Sequence, residues 1–319
     1  MFSLSKDTVK IVQEKILPKA EQLNCAVHNL SNGATVVDMG IQAGGSWEAA
    51  QLFTEVTLSG MGMVSFGRFK LGNIDLPSVN VHISKPQIAC LSSQFSSWKI
   101  QADEEYEITG LGSGPARALA QNDHIAALWD YQDMNFETVF AAQMSSIPDE
   151  EFAENIAKAC KIKPENLYII AAKTGSIVGS VQICARMIEA SMWRLNYDGF
   201  DIKKIITASG FAPIAPCVNN ELLAMNRVNT AVLYGATASY IVDCEDAEIE
   251  RILNSLAFSS SKFYGREFSD LFDEGSRDIF KMDIDAHKVA CIEINNYRTG
   301  RSFKVGNLNE EMLSKAFFN

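Results

Sequence analysis

The chain has 319 residues, 47% of them hydrophobic and 21% charged, which is enough for two domains or one large domain with two lobes. Its formal net charge is −11 and no basic stripe runs through it, which argues against nucleic acid as a partner. No apolar run approaches the roughly 18–20 residues that span a bilayer, so no membrane partner is expected. Seven cysteines scattered without a C-x-x-C pair point to reduced thiols in the cytoplasm.

In chain order, MFSLSKDTVKIVQEKILPKA lacks the apolar core of a signal peptide and reads as an amphipathic helix over about 6–22. Asn32-Gly33, between apolar runs, reads as a hairpin turn. SWEAAQLFTEVTLSG starts with helical spacing and ends β-rich. SVNVHISK alternates as a strand, and QIACLSSQFSSWKIQ reads as a pair of strands. A helix is predicted over 115–120, a strand in DMNFETVFAAQ, and a helix in PDEEFAENIAKACKI, which opens on Pro-Asp-Glu. A strand (NLYIIAAKT), a helix (GSVQICARMIEASMWRLNY) and a strand (KKIITASGFAPIAP) follow as the plainest α/β unit. NTAVLYGATASYIVD reads as strand-rich, DAEIERILNSL as helical, and the C-terminal quarter as hairpins with a final helix. This mixture predicts an α+β (mixed α/β) fold in two lobes. The expected lobe A combines 1–90 with 226–319, and lobe B, 91–225, carries the glycine turn and the Arg186/Glu189 helix.

Several kinds of chemistry fail on spacing. The four histidines are far apart, none at i+4 from another, and neither H-E-x-x-H nor a thiolate pair occurs, so no metal centre is expected. The turn EITGLGSGPARALAQ begins like a dinucleotide fingerprint, but Pro115-Ala116 displaces its third glycine. A nucleophile elbow would need a glycine at Leu111, and no Gly-Lys-Ser/Thr phosphate loop exists. Two readings stay open for Gly112, Ser113, Gly114 and Arg117. Free N–H groups at the start of the helix can hold an anion, or the glycines serve only the backbone turn.

In GSVQICARMIEA, Arg186 and Glu189 are three apart among small and apolar residues. A solvated ion pair is the plain reading. The apolar setting favours a cleft instead, where a guanidinium keeps a neighbouring carboxylate oriented for water activation. After ASGFAPIAP, Arg227 and Asn229 offer a cation and an amide for a polar heterocycle, with a structural turn as the equal alternative.

These segments together resemble the methenyltetrahydromethanopterin cyclohydrolase family, in the same order along nearly the whole chain. They include GSWEAAQLFTEV, LPSVNV, SSQFSSWKI, GLGSGPARAL, ENLYIIAAKTGSIVGSVQICARMIE, APIAP, NRVNTAVLYG, SSSKFYG and NLNEEMLSKAF. The resemblance implies a cytoplasmic enzyme of one-carbon metabolism, in methanogenesis or formaldehyde oxidation. It interconverts 5,10-methenyl-tetrahydromethanopterin and its 5-formyl form with water, using no metal or redox cofactor. It further implies a homotrimer whose subunits have two α/β lobes around a deep pocket. The family's catalytic Arg and Glu fall on Arg186 and Glu189, the Glu as general base and then acid. The substrate's phosphate and carboxylates would give the glycine turn a ligand. Ser93, Gln94 and Trp98 are expected to line the pocket, Trp98 by stacking on the pterin or else as a core residue, with Lys262 and Arg266 as further anion contacts.

The chain also departs from the family pattern. Asn226-Arg227-Val228-Asn229-Thr230 stands where a Gly-Arg/Lys-Thr-Asn-Asp run is usual, and Ser97 replaces the glycine of the SQxAGW pattern. The usual Phe-Ser-Pro-Ala segment near DIDAHKVACIEI is missing. These changes bear on pterin recognition and leave Arg186 and Glu189 untouched. The alternatives to an active cyclohydrolase are a pterin-binding paralogue, non-catalytic or of altered specificity, and a hydride-transferring dehydrogenase suggested only by the glycine turn.

Overall fold

The computed structural model describes residues 2–103, 105–126, 129 and 131–318. Ser3 opens α1 (Leu4–Ile11) by accepting the Lys6 N–H on its side chain. The rod then widens into a π turn (Val12–Ile16) and tightens into a 3₁₀ turn (Leu17–Lys19) at Pro18, which has no N–H for regular winding. Strands β1 (Ala26–Asn29) and β2 (Thr35–Gly40) make the expected hairpin around Asn32-Gly33. The β-rich end of the next segment is helical as far as Thr57 in α2 (Trp47–Thr57), where the buried Thr54 and Thr57 hydroxyls are satisfied by donating to the carbonyls of Ala50 and Thr54.

After β3 (Gly62–Leu71) and β4 (Ile74–Ile83), the expected strand pair is replaced. Gln87–Gln94 winds as a buried π-helix, which satisfies its own backbone groups without a ladder partner, and only β5 (Trp98–Ala102) is extended. Thr109–Ser113 forms β6. The predicted helix α3 (Pro115–Ala120), strand β7 (Thr138–Gln143), helix α4 (Glu150–Cys160) and strand β8 (Leu167–Ala172) all form. The single helix expected next is two, α5 (Ile177–Cys184) and α6 (Met187–Tyr197). Arg186, at φ −91° and ψ 10°, leaves helical geometry between them.

Strand β9 (Ile205–Pro213) joins a different sheet from β8, so the expected strand–helix–strand unit does not close within one sheet. NTAVLYG belongs to a helix, α7 (Glu221–Gly235), buried on all sides at its C-terminal end, where burial overrides β propensity. Then come β10 (Thr237–Val242), α8 (Asp246–Leu256), α9 (Phe268–Glu274), the hairpin β11 (Cys291–Asn296) with β12 (Ser302–Gly306), and α10 (Glu310–Phe318).

The fold is α+β, with two six-stranded mixed sheets. One has the order β1-β2-β8-β7-β6-β5, with β2, β8 and β7 parallel. The other runs β12-β11-β10-β9-β4-β3, with β10 and β11 parallel. The chain packs as two compact units, Met1–Gly62 with Ile88–Gln182, and Met63–Gln87 with Ile183–Asn319. The expected division into 1–90 plus 226–319 and 91–225 is therefore redrawn. Strands β3 and β4 extend the sheet of β9, and β1 and β2 pair beside β8. The glycine turn lies in the first unit and the Arg186/Glu189 segment in the second.

In the first unit, Ala116 of α3 and Ala153, Ile156 and Ala157 of α4 pack on Phe140, Ile169 and Val36 of the sheet. Gly112 makes room for this core, since a Cβ there would stand 2.1 Å from Phe140 Cζ. Gly112→Ala is expected to destabilise the protein by about 1–3 kcal/mol through overpacking. Thermal unfolding measures it, and an unchanged melting temperature contradicts this packing role.

Candidate functional site

The break between α5 and α6 makes Arg186 the N-cap residue of α6 and Glu189 its third residue. An acidic side chain in a first helical turn meets the positive end of the helix dipole. Arg186 Nη1 donates to Glu189 Oε2 at 2.8 Å, with the two side chains only 12% and 10% exposed. This is a sheltered, charge-assisted pair, shielded from the water and salt that screen an exposed one. The expected contact is made, and its geometry comes from a helix start instead of an unbroken helix.

The residues expected around the glycine turn gather in the first unit, mostly inside it. Ser113 is buried at the end of β6, and Gly114 turns the chain with φ +94° at the start of α3. Gly114 N–H donates to the Ser93 carbonyl at 2.9 Å. Ser93 and Gln94 are fully buried in the π-helix, where the Ser93 hydroxyl donates to the Thr57 carbonyl and accepts from Ser59. Trp98 packs edge-on against Phe140, ring centroids 5.1 Å apart, as a partly buried core residue.

Arg117 has no exposed surface. Its guanidinium makes three hydrogen bonds of 2.9–3.1 Å to the Asp123 carboxylate and two more to the carbonyls of Leu91 and Ser93. Its ring contact is with Phe95. Arg117 thus ties the π-helix, the glycine turn and the segment after α3 together from within. A helix as short as α3 and a saturated guanidinium favour the backbone-turn reading over anion capture.

In the second unit, Arg227 of α7 donates to the carbonyls of Ala316 and Pro216, strapping α10 and the proline loop to that helix. Asn229 donates to the Met225 carbonyl one turn back. Val228 and Thr230 are buried within α7, and the Thr230 hydroxyl has no hydrogen-bond partner among the described residues. Lys262 is exposed and paired with Asp283, and Arg266 is paired with Glu274.

The sequence reading missed a polar cluster at the carboxyl edge of the parallel strands, the usual ligand edge of such sheets. Gln143 at the end of β7 donates to Thr174 Oγ1 at 2.8 Å and accepts from Gln182 of α5 at 3.4 Å. Half-buried Lys173 stands beside Thr174. The signal was present as polar Lys173-Thr174-Gly175-Ser176 directly after an apolar strand. A face of the second sheet that mixes polar His82, Ser209, Ser239, Glu293 and Lys304 with apolar Phe211 and Phe303 lines adjoining hollows of about 460 and 520 Å³, whose lining includes neither Arg186 nor Glu189.

Burial works against the charge of Asp123, but the Arg117 guanidinium outweighs it and holds the carboxyl below its ordinary range. The unfolded chain therefore takes up a proton there more readily than the folded one, and the stabilisation is present at neutral pH and lost in acid. Asp123→Asn, which leaves Arg117 buried without its counter-charge, is expected to cost roughly 3–5 kcal/mol at neutral pH. The deficit should shrink below about pH 4. Urea unfolding across pH measures both, and a deficit that does not depend on pH contradicts the pairing.

The sequence pattern of a family described as Cyclohydrolase (MCH) matches residues 3–317. The methenyltetrahydromethanopterin cyclohydrolase of Methanocaldococcus jannaschii is 36% identical over 325 residues, covering 99% of this chain and 98% of that protein. Those of Methanospirillum hungatei JF-1 and Methanothermobacter marburgensis are 35% and 36% identical, each covering 99% of both chains.

Proposed function

The chain belongs to the methenyltetrahydromethanopterin cyclohydrolase family, and on that premise we propose that Glu189, held by Arg186, is the base that activates water in its reaction. Its activity is that family's hydrolase activity on methenyltetrahydromethanopterin, a step of one-carbon metabolism. The observation that carries the residue assignment is the 2.8 Å Arg186–Glu189 bond between side chains about nine-tenths buried.

The methenyl substrate is an amidinium cation whose electrophilic carbon lies between two nitrogens. As water adds, its oxygen bonds to that carbon and a proton passes to the Glu189 carboxylate. The same carboxyl then returns the proton to the departing nitrogen, the carbon–nitrogen bond breaks, and the remaining hydroxyl proton is released as the 5-formyl group forms. A negative Glu189 also attracts the cationic substrate, and Arg186 keeps the carboxylate aimed. Proton transfer of this kind contributes around 10²–10⁴-fold of rate. The reaction as written needs neither an electron acceptor nor an activating ion.

The buried Arg117 and the core residue Trp98 hold the first unit together from within. Ser93, Gln94 and the glycine turn shape that unit, and Arg227 and Asn229 order α7 of the second. The enclosed position of Val228 and Thr230 favours a packing consequence of the family differences there, with the chemistry intact. We further infer a homotrimer working in the cytoplasm, for which light scattering should give about three times the 35.1 kDa chain mass.

The assignment predicts that Glu189→Gln loses at least about 10²-fold in turnover, followed by the near-ultraviolet absorbance of the methenyl compound, while substrate binding changes little. Full turnover in that variant rejects Glu189 as the base. Wild-type protein that binds the methenyl compound tightly and never turns it over would support the binding-paralogue reading instead.

A further inference from the structure

The first turn of α6 is fastened to the sheet beneath it at two points, neither of which is a charged residue. Met187, its first residue, lies over Gly210 of β9, where a Cβ would come within 2.7 Å of Met187 Cγ. Tyr240 of β10 is 1% exposed, and its hydroxyl reaches the carbonyl of Ile188 at 3.0 Å and the hydroxyl of Ser191 at 2.5 Å. Ser191 Oγ in turn lies 2.6 Å from the Met187 carbonyl.

Each hydroxyl has one proton, so two arrangements are consistent. Either Ser191 donates to Tyr240 and Tyr240 to the Ile188 carbonyl, or Tyr240 donates to Ser191 and Ser191 to the Met187 carbonyl. In the first, the hydroxyl on β10 bonds the Ile188 carbonyl directly, and in the second it reaches the Met187 carbonyl through Ser191, in both cases within two residues before Glu189. The pair is enclosed, so neither hydroxyl gains by turning to water, and the bond is a fixed strut between strand and helix.

We propose that Tyr240 is a positioning residue for Glu189, setting through this hydroxyl bond the depth and rotation at which the first turn of α6 presents the carboxylate. The proposal rests on Glu189 being the base. Its physical basis is the steep dependence of proton transfer on geometry, where a displacement of about 1 Å can cost 10²-fold in rate. Arg186 fixes the end of the carboxylate, and Tyr240 fixes the backbone from which that side chain grows. A hydroxyl on the strand is a better fastening than an apolar contact here, because it fixes direction as well as distance.

The test is Tyr240→Phe, which keeps the ring and its packing and removes only the hydroxyl. We expect kcat to fall about ten- to a hundredfold, with KM within about twofold of wild type and little change in the thermal melt. Ser191→Ala serves as the second variant. Tyr240 then keeps the Ile188 carbonyl as its acceptor, so kcat should stay near wild type. A Tyr240→Phe protein with unchanged kcat overturns the proposal, as does one in which kcat, KM and melting temperature fall together. Loss in Ser191→Ala equal to that in Tyr240→Phe also overturns it, since the strut to β10 would then not be what matters. Glu189→Gln, measured alongside, separates the two ideas. If it is inactive while Tyr240→Phe is fully active, the positioning role fails and the base survives. If it is active, the base assignment itself fails.

Discussion

A carboxylate taken out of water has to be answered by positive charge or by N–H groups, because an unpaired buried ion costs roughly several kcal/mol. Glu189 is in that position, and the architecture around it follows from the need to answer it. Interrupting the helix at Arg186 places the guanidinium and the start of α6 on the same side of the carboxylate. An unbroken helix would bring the two side chains together but would bury the helix-end dipole elsewhere in the chain. The break therefore supplies both a counter-charge and a favourable field from four consecutive residues.

That arrangement is of use only if α6 is rigid, and the helix is held at both ends. At its start, Met187 fits over Gly210 and the Tyr240 hydroxyl reaches the first turn. Near its end, Arg194 bonds to Asp198 and Asp285, and Asp285 also pairs with the buried Lys288. Burial pulls the Lys288 ammonium below its ordinary range, with Asp285 opposing that pull. Such a network is weak evidence for net stability, but it defines one position for the helix by penalising any other. The first unit follows the same logic with Arg117, whose buried guanidinium locks three segments around Asp123.

What could be read in advance divides along physical lines. Elements that carry their own signals were legible: the Asn32-Gly33 hairpin, the Asp149-capped α4, the Pro115 helix and the apolar strand β8. Segments decided by burial were not. Gln87–Gln94 and the NTAVLYG end of α7 have residues that suit strands, yet both are enclosed and helical. The Arg186/Glu189 contact was legible because three-residue spacing survives a helix break, whereas the break itself leaves no proline or glycine as a mark. Arg117 shows the limit for single residues. A cation beside glycines looks the same in sequence whether it faces a ligand or an internal carboxylate, and Asp123 six residues on was the only hint. Of the polar pair Gln143 and Thr174, the sequence marks only Thr174, in a polar run after an apolar strand; the parallel pairing of β7 with β8 is what brings Gln143 to it.

The most direct measurement is the distance between a Glu189 carboxylate oxygen and the one-carbon group in a crystal structure with the formyl compound bound. With Glu189 as the base, the expected distance is within hydrogen-bond reach, about 2.6–3.2 Å, to the nitrogen that re-forms the ring or to a single water between them. A carboxylate turned away from the formyl group, with a different ionisable side chain in its place, would contradict it.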